Sequence, residues 1–245
     1  EDYGIAVKGG AIPPPLRSWR ESSIPVPVLE AITEIGYKEP SPVQRQAIPI
    51  GLERRDLIGI AETGSGKTAS FVIPMLAYVA ELPRLDEANA HLGPYALILS
   101  PTRELAQQIE AEARKLVTRL GVSVVSVVGG RDITEQAFHL QRGAEIVIAT
   151  PGRLKDLLEQ RIVMLGQCHY LVMDEADRMV DMNYEAELDY ILSHLPRDAS
   201  ESRARRVTML YSATMPPYVE KIARTYLTRP ATVLIGNAGQ AVGTV

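Results

Sequence analysis

The chain of 245 residues is 46% hydrophobic and 23% charged, the proportions of an ordinary folded domain, which excludes a disordered or fibrous protein. A formal net charge of -4 excludes a general basic surface that coats nucleic acid, so any nucleic-acid contact has to come from local groups. The single cysteine, Cys168, excludes an intrachain disulfide, and with histidines scattered at 91, 139, 169 and 194 it is assigned to core packing rather than to a metal cluster.

No apolar run reaches the ~18–20 residues that span a bilayer, and the opening EDYGIAVKGG lacks the regions of a secretory signal; a soluble, intracellular protein without membrane contact is expected. Residues 1–20 carry Pro13, Pro14 and Pro15 and are predicted to form an extended arm. Residues 21–54 hold two short helical patterns, VPVLEAITEIG (26–36) and SPVQRQAIPIGLE (41–53).

From 55 to 236, short apolar runs recur: DLIGI (56–60), ALILS (96–100), SVVSVV (123–128), EIVIAT (145–150), YLVMD (170–174), VTMLYSA (207–213) and ATVLI (231–235). They are continuous rather than alternating, as expected of strands covered on both faces of a parallel sheet. Helical patterns lie between them, among others at 103–120, 153–161, 184–195 and 219–227. The alternation predicts one α/β domain with a mostly parallel, doubly wound sheet. Stretches 82–94 and 196–206 read as surface loops. The second carries four arginines, and a solvated loop is favoured there over an RNA or import signal. Residues 237–245 read as a tail or the start of a linker.

The run IGIAETGSGKTASF (58–71) passes from strand to loop to helix. Ala61, Thr63, Gly64, Ser65, Gly66, Lys67 and Thr68 follow the phosphate-cradling pattern except that Ala61 stands where a glycine usually does. The glycines give backbone freedom, Lys67 reaches terminal phosphates and the Thr68 hydroxyl suits Mg²⁺. Lys67 is expected on a surface loop, so that its loss leaves the fold intact. In LVMDEADRM (171–179) an apolar strand runs into Asp174, Glu175 and Asp177, which puts carboxylates at the carboxyl end of a strand, where such sheets hold ligands. Asp174 suits the metal and Glu175 an attacking water.

With AETGSGKT at 61–68 and DEAD at 174–177, the chain resembles the DEAD-box RNA helicases. The other pieces occur in order: GYKEPSPVQ (36–44), PTRELAQQ (101–108), Gly129–Gly130, TPGR (150–153) and SAT (212–214). The match runs from about Trp19 to Gly236, and the family's phosphate loop commonly begins with alanine. EDYGIAVKGGAIPPPLRSW, GYKEPSPVQRQAIPIGL and MPPYVEKIARTYLTRPATVLIGNAG are most similar to the spliceosomal branch acting at the donor splice site. That resemblance implies pre-mRNA splicing, spliceosomal protein partners and the nucleus.

The resemblance implies a RecA-like, ATP-binding domain. Within it Gln44 reads the adenine edge, Tyr37 packs on the ring and Trp19 supports that segment. Without the family, Gln44 reads as a helix-surface residue. Thr102, Arg103, Gly129, Gly130, Thr150 and Arg153 take the RNA-backbone roles, suited to hydroxyl, amide and guanidinium chemistry. Ser212 and Thr214 couple ATP state to strand separation through hydrogen bonds to Asp177. DMNYE (181–185) departs from the family's DMGF by Asn183, whose tolerance of a left-handed backbone preserves the turn. No second phosphate-facing domain follows Gly236, so half of an ATPase is expected. The rivals are a P-loop motor acting on DNA or protein and a nucleotide-dependent RNA scaffold without turnover.

Overall fold

The structure, a computed structural model, describes residues 4–62, 64, 66–196 and 205–235. Eight strands form one sheet in the order β1-β8-β2-β7-β6-β3-β5-β4. They are β1 (Ile5–Lys8), β2 (Leu57–Ile60), β3 (Ala96–Leu99), β4 (Val124–Val127), β5 (Ile146–Ala149), β6 (Tyr170–Met173), β7 (Val207–Ser212) and β8 (Ala231–Ile235). All ladders are parallel except that of β1 with β8. Every residue of β3, β5, β6 and β7 is buried, which is why their sequences run apolar without alternation.

The helices are α1 (Val26–Ile35), α2 (Pro42–Leu52), α3 (Lys67–Ala80), α4 (Arg103–Leu116), α5 (Ile133–Gln141), α6 (Pro151–Glu159), α7 (Ala176–Asp181), α8 (Glu185–Ser193) and α9 (Pro217–Tyr226). Alternate strand residues serve two cores. Ala96, Ile98, Ile148 and Val172 pack with α1 to α4, whereas Leu97, Leu99, Val147 and Met173 pack with α5 to α9. This is the mostly parallel, doubly wound α/β sheet that the apolar runs predict.

The N-terminal region differs from a simple extended arm. Ile5–Lys8 adds antiparallel to β8 as an edge strand, half-buried residues alternating with exposed ones. The segment after it is tied to α2: buried Arg45 donates to the carbonyls of Leu16 (3.0 Å) and Arg17 (2.6 Å) and pairs with Glu39 (2.8 Å), and Gln46 Nε2 donates to Pro13 O (3.0 Å). Two of the four arginines in 196–206 are structural. Arg205 pairs with the buried Asp56 (3.0 Å), and the Arg206 guanidinium lies 5.8 Å from the Tyr226 ring centre. Residues 197–204 and 236–245, with Thr63 and Ser65, lie outside the described residues. Cys168 is fully buried, and burial pushes its thiol up to about 12, as befits a core residue. Among the described residues no helix is long and apolar enough to cross a membrane.

Candidate functional site

The register of the sheet sets what stands beside what at its carboxyl edge. Ile60 at the end of β2 lies opposite Ser212 at the end of β7, and the adjacent β6 ends at Met173, directly before Asp174. Ala61 N donates to Ser212 O (3.4 Å), which fixes the start of the phosphate loop on β7. Gly64 (φ +85°) and Gly66 (φ +79°) have left-handed backbones that a side chain would strain. A Cβ on Gly66 would also stand 2.8 Å from Ser41 Oγ and 3.0 Å from Gln44 Nε2, so the loop and the α2 N-terminus approach as closely as glycine allows.

Lys67 is the first residue of α3 and is buried rather than on a surface loop. Its Nζ lies 3.0 Å from Asp174 Oδ1 and 3.7 Å from Glu175 Oε1. Loss of Lys67 would therefore strand a buried carboxylate, and the expectation of an unaffected fold is corrected on that ground. Asp174 is fully buried, and burial raises its pKa above the ordinary aspartate value against the opposing pull of Lys67. Asp174 Oδ1 also accepts from Glu175 N (3.0 Å). Asp174 Oδ2, by contrast, is buried and bonded to no other described residue. A buried acceptor left over in this way fits a cation, and Thr68, the second residue of α3, follows Lys67 directly. Among the described residues no cluster of three His, Cys, Asp or Glu could hold a metal. Mg²⁺ is usually held by one or two carboxylates with phosphate and water, and the leftover oxygen of Asp174 is of that kind. Glu175 has a left-handed backbone (φ +49°, ψ +52°), strain of a kind that concentrates at working sites. It is held by Lys67 and by Arg178 Nη1 (3.3 Å).

Asp177, one turn on, is bound to the SAT segment. Its N–H donates to Ser212 Oγ (3.1 Å), and its Oδ2 accepts from Thr214 N (3.1 Å) and Thr214 Oγ1 (2.9 Å).

Gln44 is buried, not a helix-surface residue. Its Oε1 accepts from Ser41 N (2.8 Å) in a capping box at the start of α2, and its Nε2 donates to Gly66 O (3.0 Å). The S-x-x-Q spacing of Ser41 and Gln44 was the sequence signal for that box. Tyr37 is half-buried and its hydroxyl donates to Glu112 of α4; Trp19 is buried in the core beside α1 and α2.

Toward the other end of the sheet, the loops after β3, β4 and β5 bring Thr102, Arg103, Gly129, Gly130, Thr150 and Arg153 around one open depression of about 460 Å³. All six residues assigned from the resemblance to RNA contact meet there. Thr102 Oγ1 accepts from Leu105 N (3.2 Å) and caps α4, so part of its hydroxyl capacity is committed to the fold. Arg153 Nη1 donates to Arg131 O (3.0 Å), and a Cβ on Gly130 (φ +78°) would stand 2.5 Å from Arg103 Nη1. Met182 and Tyr184 also line the depression; sequence reasoning singled out only Asn183 between them, which has the left-handed backbone (φ +60°) expected of it.

A parallel sheet with a glycine-bent loop entering a helix at one strand end, facing a buried carboxylate at another, defines a RecA-like P-loop domain. The chain belongs to the DEAD/DEAH box helicase family, whose profile matches residues 41–222. It is 60% identical to the pre-mRNA-splicing ATP-dependent RNA helicase PRP28 of Cryptococcus neoformans var. neoformans serotype D, over 100% of this chain and 35% of that protein. With the protein of the same name from Gibberella zeae the identity is 56%, over 100% and 36%. The crystal structure of Prp28 from Chaetomium thermophilum bound to ADP matches at TM-score 0.86 and 55% identity, covering 96% of this chain and 55% of that one. The yeast DEAD-box splicing factor Prp28 matches at TM-score 0.90 and 41% identity, covering 96% and 54%. The chain thus spans about a third of the length of the curated relatives it matches.

Proposed function

We propose that this chain is the nucleotide-binding part of an ATP-dependent RNA helicase that remodels RNA duplexes in pre-mRNA splicing. The carrying observation is the division of one sheet edge. The phosphate loop and acidic residues cluster at β2, β7 and β6, the RNA-type residues at β3, β5 and β4, and the Asp177–Ser212–Thr214 bonds lie at the nucleotide half. The names of the relatives support the helicase and splicing assignment. Action in splicing implies spliceosomal protein partners and a nuclear location.

Lys67 meets the terminal phosphates by exchanging Asp174 for phosphate oxygens, and Glu175, fixed by Lys67 and Arg178, orients the attacking water. Mg²⁺ bound by Asp174 and Thr68 would neutralise charge on the phosphates. Asp177 transmits a change at the phosphates to Ser212 and Thr214, since a shift of the acidic turn must break or carry along three hydrogen bonds.

Adenine specificity rests on the Gln44 amide, which offers one donor and one acceptor. ADP is expected to bind more tightly than GDP in calorimetry. Gln44→Glu should narrow that preference while the fold survives, because a carboxylate still accepts from Ser41 N although it loses the bond to Gly66 O. Equal affinity of the parent chain for the two nucleotides would remove the adenine-reading role.

Arg103 and Arg153 are assigned to phosphates, so either alanine variant should weaken single-stranded RNA binding alike across sequences and lower the salt slope by about 1. Anisotropy titrations of two unrelated oligonucleotides at several salt concentrations test this. A loss confined to one sequence would contradict it.

A further inference from the structure

The polar residues of the RNA depression suit phosphate and ribose, which leaves open where the bases go. Met182 and Tyr184 line the same depression and bring no charge to it. Met182 is 40% exposed, one of the few large apolar side chains that the described surface leaves in water. Tyr184 is half-buried, one part of its side chain packed on the core that α5 to α9 cover. The turn that carries them is firmly built. Asn183 N donates to Val180 O (2.9 Å), Tyr184 N to Met179 O (3.0 Å), and Leu188 N to Tyr184 O (2.9 Å) as α8 begins. An aromatic ring seated in this way loses little conformational freedom when a flat apolar group covers it. A surface methionine and a partly buried tyrosine two residues apart are an ordinary feature in isolation. Its position at the rim of six backbone-type RNA contacts is what makes it informative.

Resting on the reading of this depression as an RNA surface, we infer that Tyr184, flanked by Met182, is a stacking platform for one nucleobase of an unpaired strand. Every base has a π-face, so the contact adds affinity without adding sequence preference. A base in a duplex is already covered by its neighbours, so the platform favours RNA whose bases are unstacked. The strand is thereby gripped by its backbone along the three loops and by one base at the α7–α8 turn.

The test is an abasic scan. A single-stranded decamer with one abasic site moved through each register is titrated against the chain and against Tyr184→Leu, which keeps apolar volume but has no ring. The parent chain should lose about 5- to 150-fold in affinity at one register and little elsewhere. Tyr184→Leu should bind the intact decamer with the same loss and lose nothing further at that register, whereas Tyr184→Phe should bind like the parent. A flat scan overturns the inference, and because it needs only the parent chain it does so whether or not the leucine variant folds. An undiminished register effect in a folded Tyr184→Leu overturns it as well. If the parent chain binds no RNA, or Arg103→Ala and Arg153→Ala leave affinity and salt slope unchanged, the reading of the depression itself falls and the inference with it.

Discussion

Replacing Lys67 with alanine is expected to cost the chain most of its phosphate affinity and a share of its stability that grows with pH. Charge-assisted bonds of this kind contribute ~1.5–3 kcal/mol, so ADP affinity should fall roughly 10- to 100-fold. The stability effect follows from Asp174, fully buried and 3.0 Å from Lys67 Nζ. Burial already raises the Asp174 pKa and Lys67 opposes the rise, so removing Lys67 raises it further. A carboxyl whose folded pKa lies above its unfolded value is easily accommodated while protonated. As pH climbs through the unfolded value near ~4, the unfolded chain releases the proton first and the folded state loses stability until its own higher pKa is passed.

The variant should therefore melt close to the parent near pH 4 and fall behind as pH rises, by up to about 3 kcal/mol at pH 8, the scale for breaking a buried pair. Adding Asp174→Asn to Lys67→Ala should recover most of that loss and flatten the pH dependence. Thermal melts of the parent, the single variant and the double variant between pH 4 and 8 check it. A gap between parent and Lys67→Ala that stays constant with pH would show that the buried pair does not couple to stability in this way.

A polypeptide of these 245 residues should bind nucleotide and yet hydrolyse ATP slowly, with little stimulation by RNA. Phosphoryl transfer needs charge stabilisation on the γ-phosphate, and an opposing arginine is typically worth ~10³–10⁵-fold in rate. Among the described residues, the groups around the phosphate loop come from one side. Lys67, Asp174 and Glu175 form a single wall, and Arg178 is held on that same wall by Glu175 (3.3 Å). The RNA depression is likewise open, so a strand lying in it is gripped from one face. A polypeptide extended by a second RecA-like domain should turn over ATP faster by the factor above and respond to single-stranded RNA. Steady-state phosphate release from both polypeptides, with and without RNA, decides it. Strong RNA-stimulated turnover by the 245-residue polypeptide would mean that one wall suffices.

Much of this was legible in the residues themselves. A short continuous apolar run such as ALIL is what a strand covered on both faces requires, and the alternation of such runs with helical segments leaves few topologies besides a doubly wound sheet. The turn at Asn183 was legible through the resemblance, since it stands at the family's glycine and asparagine tolerates a left-handed backbone. The phosphate loop and the acidic strand end are local too: residue types at fixed spacing, each chosen by the chemistry of its own few neighbours. The role of Gln44 is legible through the resemblance of its segment, and its capping box through the S-x-x-Q spacing of Ser41 and Gln44.

What sequence order could not contain is who lies against whom across the chain. The Ile5–Lys8 strand has no partner until Ala231–Ile235 arrives, more than two hundred residues later, so locally it is only an extended arm. Lys67 looks like a loop residue because nothing near it in sequence announces the buried Asp174. The six RNA-type residues come from three loops, and only the neighbouring of β3, β5 and β4 in the sheet makes them one surface with Met182 and Tyr184. Strand propensity, turn chemistry and motif spacing are set within a few residues, and the sequence determines them. Burial, ion pairing and the shape of a binding surface are sums of contacts between distant segments, and those the tertiary structure decides.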